Sequence, residues 1–320
     1  MAETIILDTD PGIDDAMAIM YVLANKHLKL MGITTVFGNA TIEDTTRNAL
    51  FIKDKFNASF DVACGAAAPL IKTPNGPTVI VHGEHGLGSV VADAPKSVAE
   101  EETAWQYMAK KITANPGEIT LVAVGPLTNL ALLVQNAPEA VSLVKNVVIM
   151  GGAFGENGHR GNVSPVAEAN VHDDPHAANI VFAANWPVVV IGLDVTHEIA
   201  CEEHYIETLR DHAGEKGRFI YDVSQFYLGF YETELKRKAC YLHDPAALVY
   251  VSRPELFELR EGPIVVVEEG GAEGMTIQKT ESRVFSNDAW EQRPSQSVAI
   301  SVDSEAVLNH FSDTLIGDHA

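Results

Sequence analysis

Four carboxylates fall within eight residues in Asp8-Thr9-Asp10-Pro11-Gly12-Ile13-Asp14-Asp15, with no lysine or arginine among them. One or two aspartates in such a place can cap a helix, accepting backbone N–H bonds and meeting the positive end of its dipole. Four converging near a buried strand end repel one another unless they are protonated or share a cation. Hard oxygen donors of this kind suit Ca2+ or Mg2+. A calcium loop of the EF-hand type beginning at Asp8 needs a carboxylate at its twelfth position, which is Ile19 here. The cluster therefore points to a metal used for chemistry rather than to a self-contained calcium loop.

Such a turn has to be positioned by a strand before it and a helix after it. Ile5–Leu7 reads as the strand, and Asp14–Asn25 as a helix with Ala16, Met17, Ile19, Met20 and Leu23 on one face. A second strand over Leu30–Val36 runs into Gly38-Asn39, after which Thr41 caps a helix reaching about Phe56. Ile119–Val124, Asn146–Met150 and Val188–Ile191 are continuous apolar runs, the pattern of central strands buried on both faces. Asp174-Pro175 opens the helix between the last two. After Glu202 the chain reads as mainly helical to about Val251, followed by strands at Pro263–Glu268, Met275–Lys279 and Val298–Val302. The alternation predicts an α/β fold: an open, mainly parallel, Rossmann-like central sheet flanked by helices, with added C-terminal strands and helices. No linker or repeat divides the chain, so residues 1–320 are expected to form one domain. Two long segments, Gly65–Pro95 and Gly151–Asp173, interrupt the rhythm, and loops of that length are more often functional than idle. Ligands of such sheets bind beyond the carboxyl ends of the strands.

Composition narrows the partners. The 320 residues carry 44 acidic and 22 basic side chains, a net charge of −22, which repels nucleic acid and anionic membrane surfaces. No apolar run approaches the ~18 residues of a membrane span, and the first residues lack the basic and long apolar regions of a signal peptide, so a cytoplasmic location is expected. Cys64, Cys201 and Cys240 are far apart and in no ligand spacing, which reads as packing rather than as disulfides or a structural zinc site.

An Asp-x-Asp pair after a first strand is similar to that of the haloacid-dehalogenase phosphatases, where Asp8 would be the phosphorylated nucleophile. The continuation Pro11-Gly12-Ile13-Asp14-Asp15 departs from that family's Thr- or Ser-bearing pattern. The whole stretch Asp8–Ala16 more closely resembles the signature of the inosine–uridine nucleoside hydrolases. Three further segments agree, in order: Gly125-Pro126-Leu127-Thr128-Asn129-Leu130-Ala131; Met150-Gly151-Gly152 followed by Asn162 and Ala167-Glu168-Ala169-Asn170; and His243-Asp244-Pro245. The resemblance runs from residue 5 to about 250. A phosphatase using Asp8 and a non-enzymatic calcium-binding module remain the alternatives.

The resemblance implies calcium-dependent hydrolysis of the N-glycosidic bond of purine or pyrimidine ribonucleosides, giving free base and ribose. It assigns Asp10, Asp15, Asp244 and the backbone carbonyl of Val124 to Ca2+, and makes Asp10 the general base for the attacking water. Asn39 is placed near that water. Asp14, Asn162, Glu168 and Asn170 are assigned to the sugar, with Asp14 on the ribose rather than on the metal. Glu168 and Asn170 are expected to alternate along an extended segment and so to point the same way. His243 is the candidate general acid for the departing base, expected to titrate near neutrality. His82 together with His243 suggests a broad or pyrimidine-accepting member. Tyr227 and Tyr231, four apart on a predicted helix, share a face and are candidates for the base pocket. Thr128 and Asn129 read as a helix start. The family commonly forms dimers and tetramers, so a homo-oligomer is expected.

Overall fold

Eight strands build the central sheet: β1 (Glu3–Thr9), β2 (Leu28–Thr35), β3 (Asp61–Cys64), β4 (Ile119–Ala123), β5 (Asn146–Met150), β6 (Val188–Ile191), and, beyond the short strands β7 (Ala200–Glu202) and β8 (Ala239–Tyr241), β9 (Phe257–Gly262) and, last in the chain, β12 (Gln296–Val302). The computed structural model describes residues 2–284, 286 and 288–319. The sheet order is β3-β2-β1-β4-β5-β6-β12-β9, parallel throughout except for β9, which runs antiparallel to β12. From β1 the chain first builds outward through β2 and β3, then returns to add β4 on the other side of β1. That reversal leaves a crevice between the carboxyl ends of β1 and β4, the place where open α/β sheets take their ligands.

Buried strands need apolar side chains on both faces, and β1 alternates them: Ile5 and Leu7 enter one core, Ile6 the other. The first core is closed by α1 (Ile13–Ala24), α2 (Ile42–Lys55) and helices from the C-terminal half. The second lies under α4 (Ala104–Ala114), α5 (Thr128–Asn136) and α8 (Pro175–Ala183), where α3 (Val79–His82), α6 (Pro138–Val141) and α7 (Ala169–Asp173) are the short intervening helices. Thr41 caps α2, accepting from the Asp44 N–H at 3.2 Å, and Asp174 caps α8, accepting from the Ala177 N–H at 3.0 Å ahead of Pro175.

Several expectations change. The helix after the acidic turn is apolar all round, not on one face: Ala18, Tyr21 and Val22 are as buried as Ala16 and Met20, while Leu23 is only partly buried. It is a central helix, enclosed between the sheet and α11 (Gly214–Leu235), α12 (His243–Ser252) and α14 (Ser304–His319), with α9 (Leu193–Thr196), α10 (Glu203–His212) and α13 (Asp288–Glu291) completing the helical set. The helical stretch after Glu202 is broken by β8, which pairs antiparallel with β7. That pairing sets Cys201 opposite Cys240, so two cysteines that are remote in sequence are neighbours, both buried and both reduced. Of the three C-terminal strands expected from the sequence, only β12 joins the main sheet, where it pairs with β9, a strand the sequence reading missed; β10 (Ile264–Val266) and β11 (Thr276–Gln278) form a separate antiparallel pair. Among the described residues no helix is long and apolar enough to cross a membrane.

Candidate active site

The carboxyl end of β1 delivers Asp8, Asp10, Asp14 and Asp15 into the interior, all between 0 and 5 % exposed. Asp14 and Asp15 stand in the first turn of α1, and the Asp15 Oδ2 accepts from the Gly12 N–H at 2.8 Å, so part of the capping role is real. Asp244, in the first turn of α12, completes the group. Asp14, Asp15 and Asp244 each place a carboxylate oxygen within 4.8 Å of the other two, an arrangement able to hold a metal ion. Asp10 stands beside this triple. Its Oδ2 accepts the Asn39 N–H at 2.7 Å, while the Asn39 side-chain amide donates to Asp15 Oδ2 at 2.9 Å, so one residue ties the two carboxylates together. Two glycines let the backbone close over Asp10: a Cβ at Gly38 would lie 2.1 Å from its Oδ2, and one at Gly125 would lie 2.5 Å from its Oδ1.

Burial and crowding set the electrostatics of the group. Burial, then repulsion from Asp15, lifts Asp10 well above the usual range. Asp14 is pushed to about 8 by burial and Asp15, and Asp244 is raised by burial and by Asp14, Asp15 and Asp10. The Asp10 Oδ1 and Asp14 Oδ1 are buried without a hydrogen-bond partner. Orphaned hard carboxyl oxygens converging from two elements are the donor set that a divalent cation satisfies.

Asp14, Asn39 and Asp244 line the floor of a cavity, with Asp10 and Asp15 held behind them by Asn39, and its polar wall comes from the segment after β5. Glu168 caps α7: one oxygen accepts the Asn170 N–H at 2.9 Å, and the other accepts Gly152 at 2.8 Å and Val171 at 3.2 Å. Burial nevertheless raises it to about 7. Asn170 lies in the first turn of that helix and donates to the carbonyls of Val124 (2.9 Å) and Met150 (3.1 Å), bridging the ends of β4 and β5. Glu168 and Asn170 thus reach one cavity through a helix start, not through alternation along an extended strand; the cap's own N–H bonds bend the chain there. Asn162 also lines the cavity, its Oδ1 accepting the Ala169 N–H at 3.0 Å.

The outer wall is aromatic. His82 from α3, Tyr227 and Tyr231 from α11, and His243 from α12 all line it. The Tyr227 hydroxyl donates to Asp14 Oδ2 at 3.3 Å, and Tyr227 packs edge-on against Tyr231 with centroids 4.9 Å apart. His243 has both ring nitrogens engaged, Nδ1 with the Thr196 hydroxyl at 2.8 Å and Nε2 with the Tyr231 hydroxyl at 3.1 Å. The expectation that His243 titrates near neutrality is corrected: burial first, then the neighbouring His197 and His82, hold it well below its ordinary value. Burial likewise takes His82 to about 3.

An acid floor at a sheet switch point, a polar wall and an aromatic wall describe a site for a ligand with a polyhydroxylated end and a flat end. The comparisons decide among such ligands: residues 5–309 match the family model described as inosine-uridine preferring nucleoside hydrolase. The chain belongs to the inosine-uridine preferring nucleoside hydrolase family. It is 36 % identical to uridine nucleosidase 1 of Arabidopsis thaliana over 98 % of this chain and 93 % of that protein. It is 35 % identical to the inosine-uridine preferring nucleoside hydrolase of Crithidia fasciculata over 99 % of each chain. A plant nucleoside hydrolase structure superimposes with a TM-score of 0.94 at 34 % identity, covering 99 % of each chain. The protein is an enzyme that hydrolyses ribonucleosides.

Asp8 loses its phosphatase role with the family assignment. It lies beneath the floor, its Oδ1 accepting from Thr34 (2.6 Å) and from the Asn129 amide (2.8 Å), and burial raises it to about 7. Thr128 and Asn129 do begin α5, yet both also brace the floor: Asn129 holds Asp8 and the Thr35 carbonyl, and Thr128 donates to Asp174 at 2.7 Å. Asp174 also accepts the Leu70 N–H at 2.8 Å, fixing the segment after β3. His197 lines the cavity as well. It follows Leu193-Asp194-Val195-Thr196, a stretch with no acidic cluster or turn signature around the histidine, and only its adjacency in space to His243 reveals it.

Proposed function

We propose that the hydrolase is calcium-dependent and that Asp10, Asp15, Asp244 and the Val124 carbonyl hold the ion, with Asp14 between ion and sugar. The observation that carries this is the buried carboxylate group at the cavity floor, in which Asp14, Asp15 and Asp244 bring oxygens within 4.8 Å of one another and the Asp10 and Asp14 Oδ1 atoms have no hydrogen-bond partner. Placing Asp14 at the boundary reflects its membership of the 4.8 Å triple, a departure from a purely sugar-binding role. When bound, the cation neutralises the cluster, offers positions to ribose hydroxyls and makes water more acidic.

Asp10 orients the attacking water and takes its proton, with Asn39 fixing the carboxylate through the bond to Oδ2. Asp14, Asn162, Glu168 and Asn170 grip the ribose, which sets the attack angle at the anomeric carbon. Cleavage passes through an oxocarbenium-like ribosyl cation, favoured by the anionic floor beneath it. The departing base is protonated through the pair of His243 and Tyr231, whose Nε2 and phenolic hydroxyl are hydrogen-bonded at 3.1 Å, the hydroxyl giving up its proton and leaving a phenolate that His243 and solvent reprotonate, while the Thr196 hydroxyl holds Nδ1. His82, Tyr227 and Tyr231 wall the base, and the pairing of His82 with His243 favours a range that includes pyrimidines. The enzyme acts in the cytoplasm as a homodimer or homotetramer, the oligomeric state being readable by light scattering. Neither nucleic acid nor a membrane is a partner of this acidic chain. The function is tested by incubating purified protein with inosine, uridine, cytidine and adenosine in phosphate-free buffer, before and after metal removal. Ribose released only with calcium supports the reading; equal release from stripped protein contradicts it.

A further inference from the structure

We propose that His197 is a base-recognising residue whose imidazole hydrogen-bonds the nucleobase edge farthest from the glycosidic bond. This rests on the reading of the cavity as a ribonucleoside site with the sugar on the acid floor.

Three histidines line the cavity, and their ring nitrogens are used differently. Both nitrogens of His243 are committed to Thr196 and Tyr231. His82 gives Nδ1 to the Ile13 N–H at 3.2 Å. Among the described residues, no group hydrogen-bonds the His197 ring. Its contacts are through its π-faces and edges to other rings: Tyr241 at 4.6 Å and 38°, His159 at 5.1 Å and 79°, and His243 at 5.4 Å and 62° between centroids and planes. Below it, the short helix α9 is anchored by the His197 N–H donating to the Leu193 carbonyl at 3.1 Å. The ring is therefore fixed in orientation by packing while its polar atoms remain available, the condition under which a ligand contact costs little ordering entropy.

Position supplies the rest. From the floor outward the chain of side chains runs Asp244, His243, His197 and His159, the last hydrogen-bonded through Nε2 to Glu198 at the exposed end. A ribonucleoside with its sugar at Asp14 and Glu168 and its glycosidic bond beside His243 extends its heterocycle towards His197. A base covering His197 strips water from its nitrogens. A carbonyl on the far edge restores the lost hydrogen bond, and a base without one leaves a buried polar group unpaired, which makes this contact a discriminator rather than a general source of affinity.

The test is a cycle of two substrates and two enzymes, run on the calcium-loaded protein. Uridine is compared with its 4-deoxy analogue, the pyrimidin-2-one riboside, and inosine with purine riboside. Within each pair the analogue lacks the far-edge oxygen, and intrinsic leaving-group differences cancel between enzymes. His197→Phe keeps a ring against Tyr241 and removes both nitrogens; His197→Gln keeps a hydrogen-bonding end. In the pair that the enzyme hydrolyses faster, His197→Phe is expected to reduce the kcat/KM ratio of oxo substrate to deoxy analogue by about tenfold or more, with His197→Gln restoring part of it. An unchanged ratio overturns the proposal, whether both substrates slow equally or neither does, because His197 is then packing only. Failure of the wild-type enzyme to release ribose from any of the four would instead overturn the ribonucleoside reading, and the proposal with it.

Discussion

At the sheet end of the cavity, Asp10 and Asp14 are buried with oxygens that find no partner, and burial, then mutual repulsion, raises the pKa values of the carboxylates in the cluster. At the outer end, His243 and Tyr231 are about as buried, yet they bond to each other, and burial keeps the histidine neutral. On the proposed reading a cation completes the first region, whereas the second is already complete as a scaffold. Equal burial thus has opposite consequences, depending on whether the buried groups can satisfy one another. The floor stores unfavourable electrostatics that binding relieves, whereas the wall stores order.

That contrast can be broken at either end. The largest effect is expected at the floor: Asp10→Ala should lower kcat on inosine and uridine by about 10³-fold or more, since it removes the proposed general base and cation ligand. A loss under tenfold in steady-state assays would detach Asp10 from the chemistry. At the wall, His243→Ala should cost about 10²-fold with inosine and far less with a 4-nitrophenyl riboside, whose leaving group needs no proton. Equal losses on the two substrates would remove His243 from the acid role. Calcium should raise apparent stability by about 4 kcal/mol when present at about a thousand times its Kd, read as a melting-temperature shift by calorimetry.

The pH dependence of the stripped protein sharpens the comparison further. Carboxylates with raised folded pKa values, Asp8 and Glu168 at about 7 and Asp14 at about 8, make the folded state bind more protons than the unfolded one above the ordinary carboxylate range. Stability of the calcium-free protein should therefore fall as pH rises from about 4 to about 8, and calcium should flatten that slope. A flat profile without metal would show that the floor is not strained as described. The smallest effect is expected below the floor, where Asn129→Ala takes a donor from Asp8 and should cost about 1–3 kcal/mol of stability, visible in the melting temperature rather than in kcat.

The two ends also differ in how openly the sequence announces them. The floor is legible because Asp8 to Asp15 are contiguous, and a strand-to-helix turn crowded with like charge has few uses. The strands at Asn146–Met150 and Val188–Ile191 are legible for a related reason, since continuous apolar runs have no solvent face to alternate with. The wall gathers His82, His197, Tyr227 and His243 from four elements, and only the resemblance to a family brought most of them forward. His197 carried no signal because a histidine becomes informative through its neighbours in space. Strand β8 was hidden inside a helical stretch because three residues pairing with β7 leave too short a pattern to read. Asn170 illustrates a different failure: its place at the cavity was readable, but the helix that aims it begins with Glu168 capping its own successors, a tertiary detail that alternation cannot express.

The central claim is that a divalent cation completes the carboxylate floor. Isothermal titration of calcium into the stripped protein at pH 7, repeated in buffers of different ionisation enthalpy, tests it most directly. One ion per chain should bind, and protons should leave as it does, because the cluster holds them in the ion's place. Binding without proton release would contradict the electrostatic account of the floor, and turnover undiminished in a protein that binds no calcium would contradict the assignment of the ion itself.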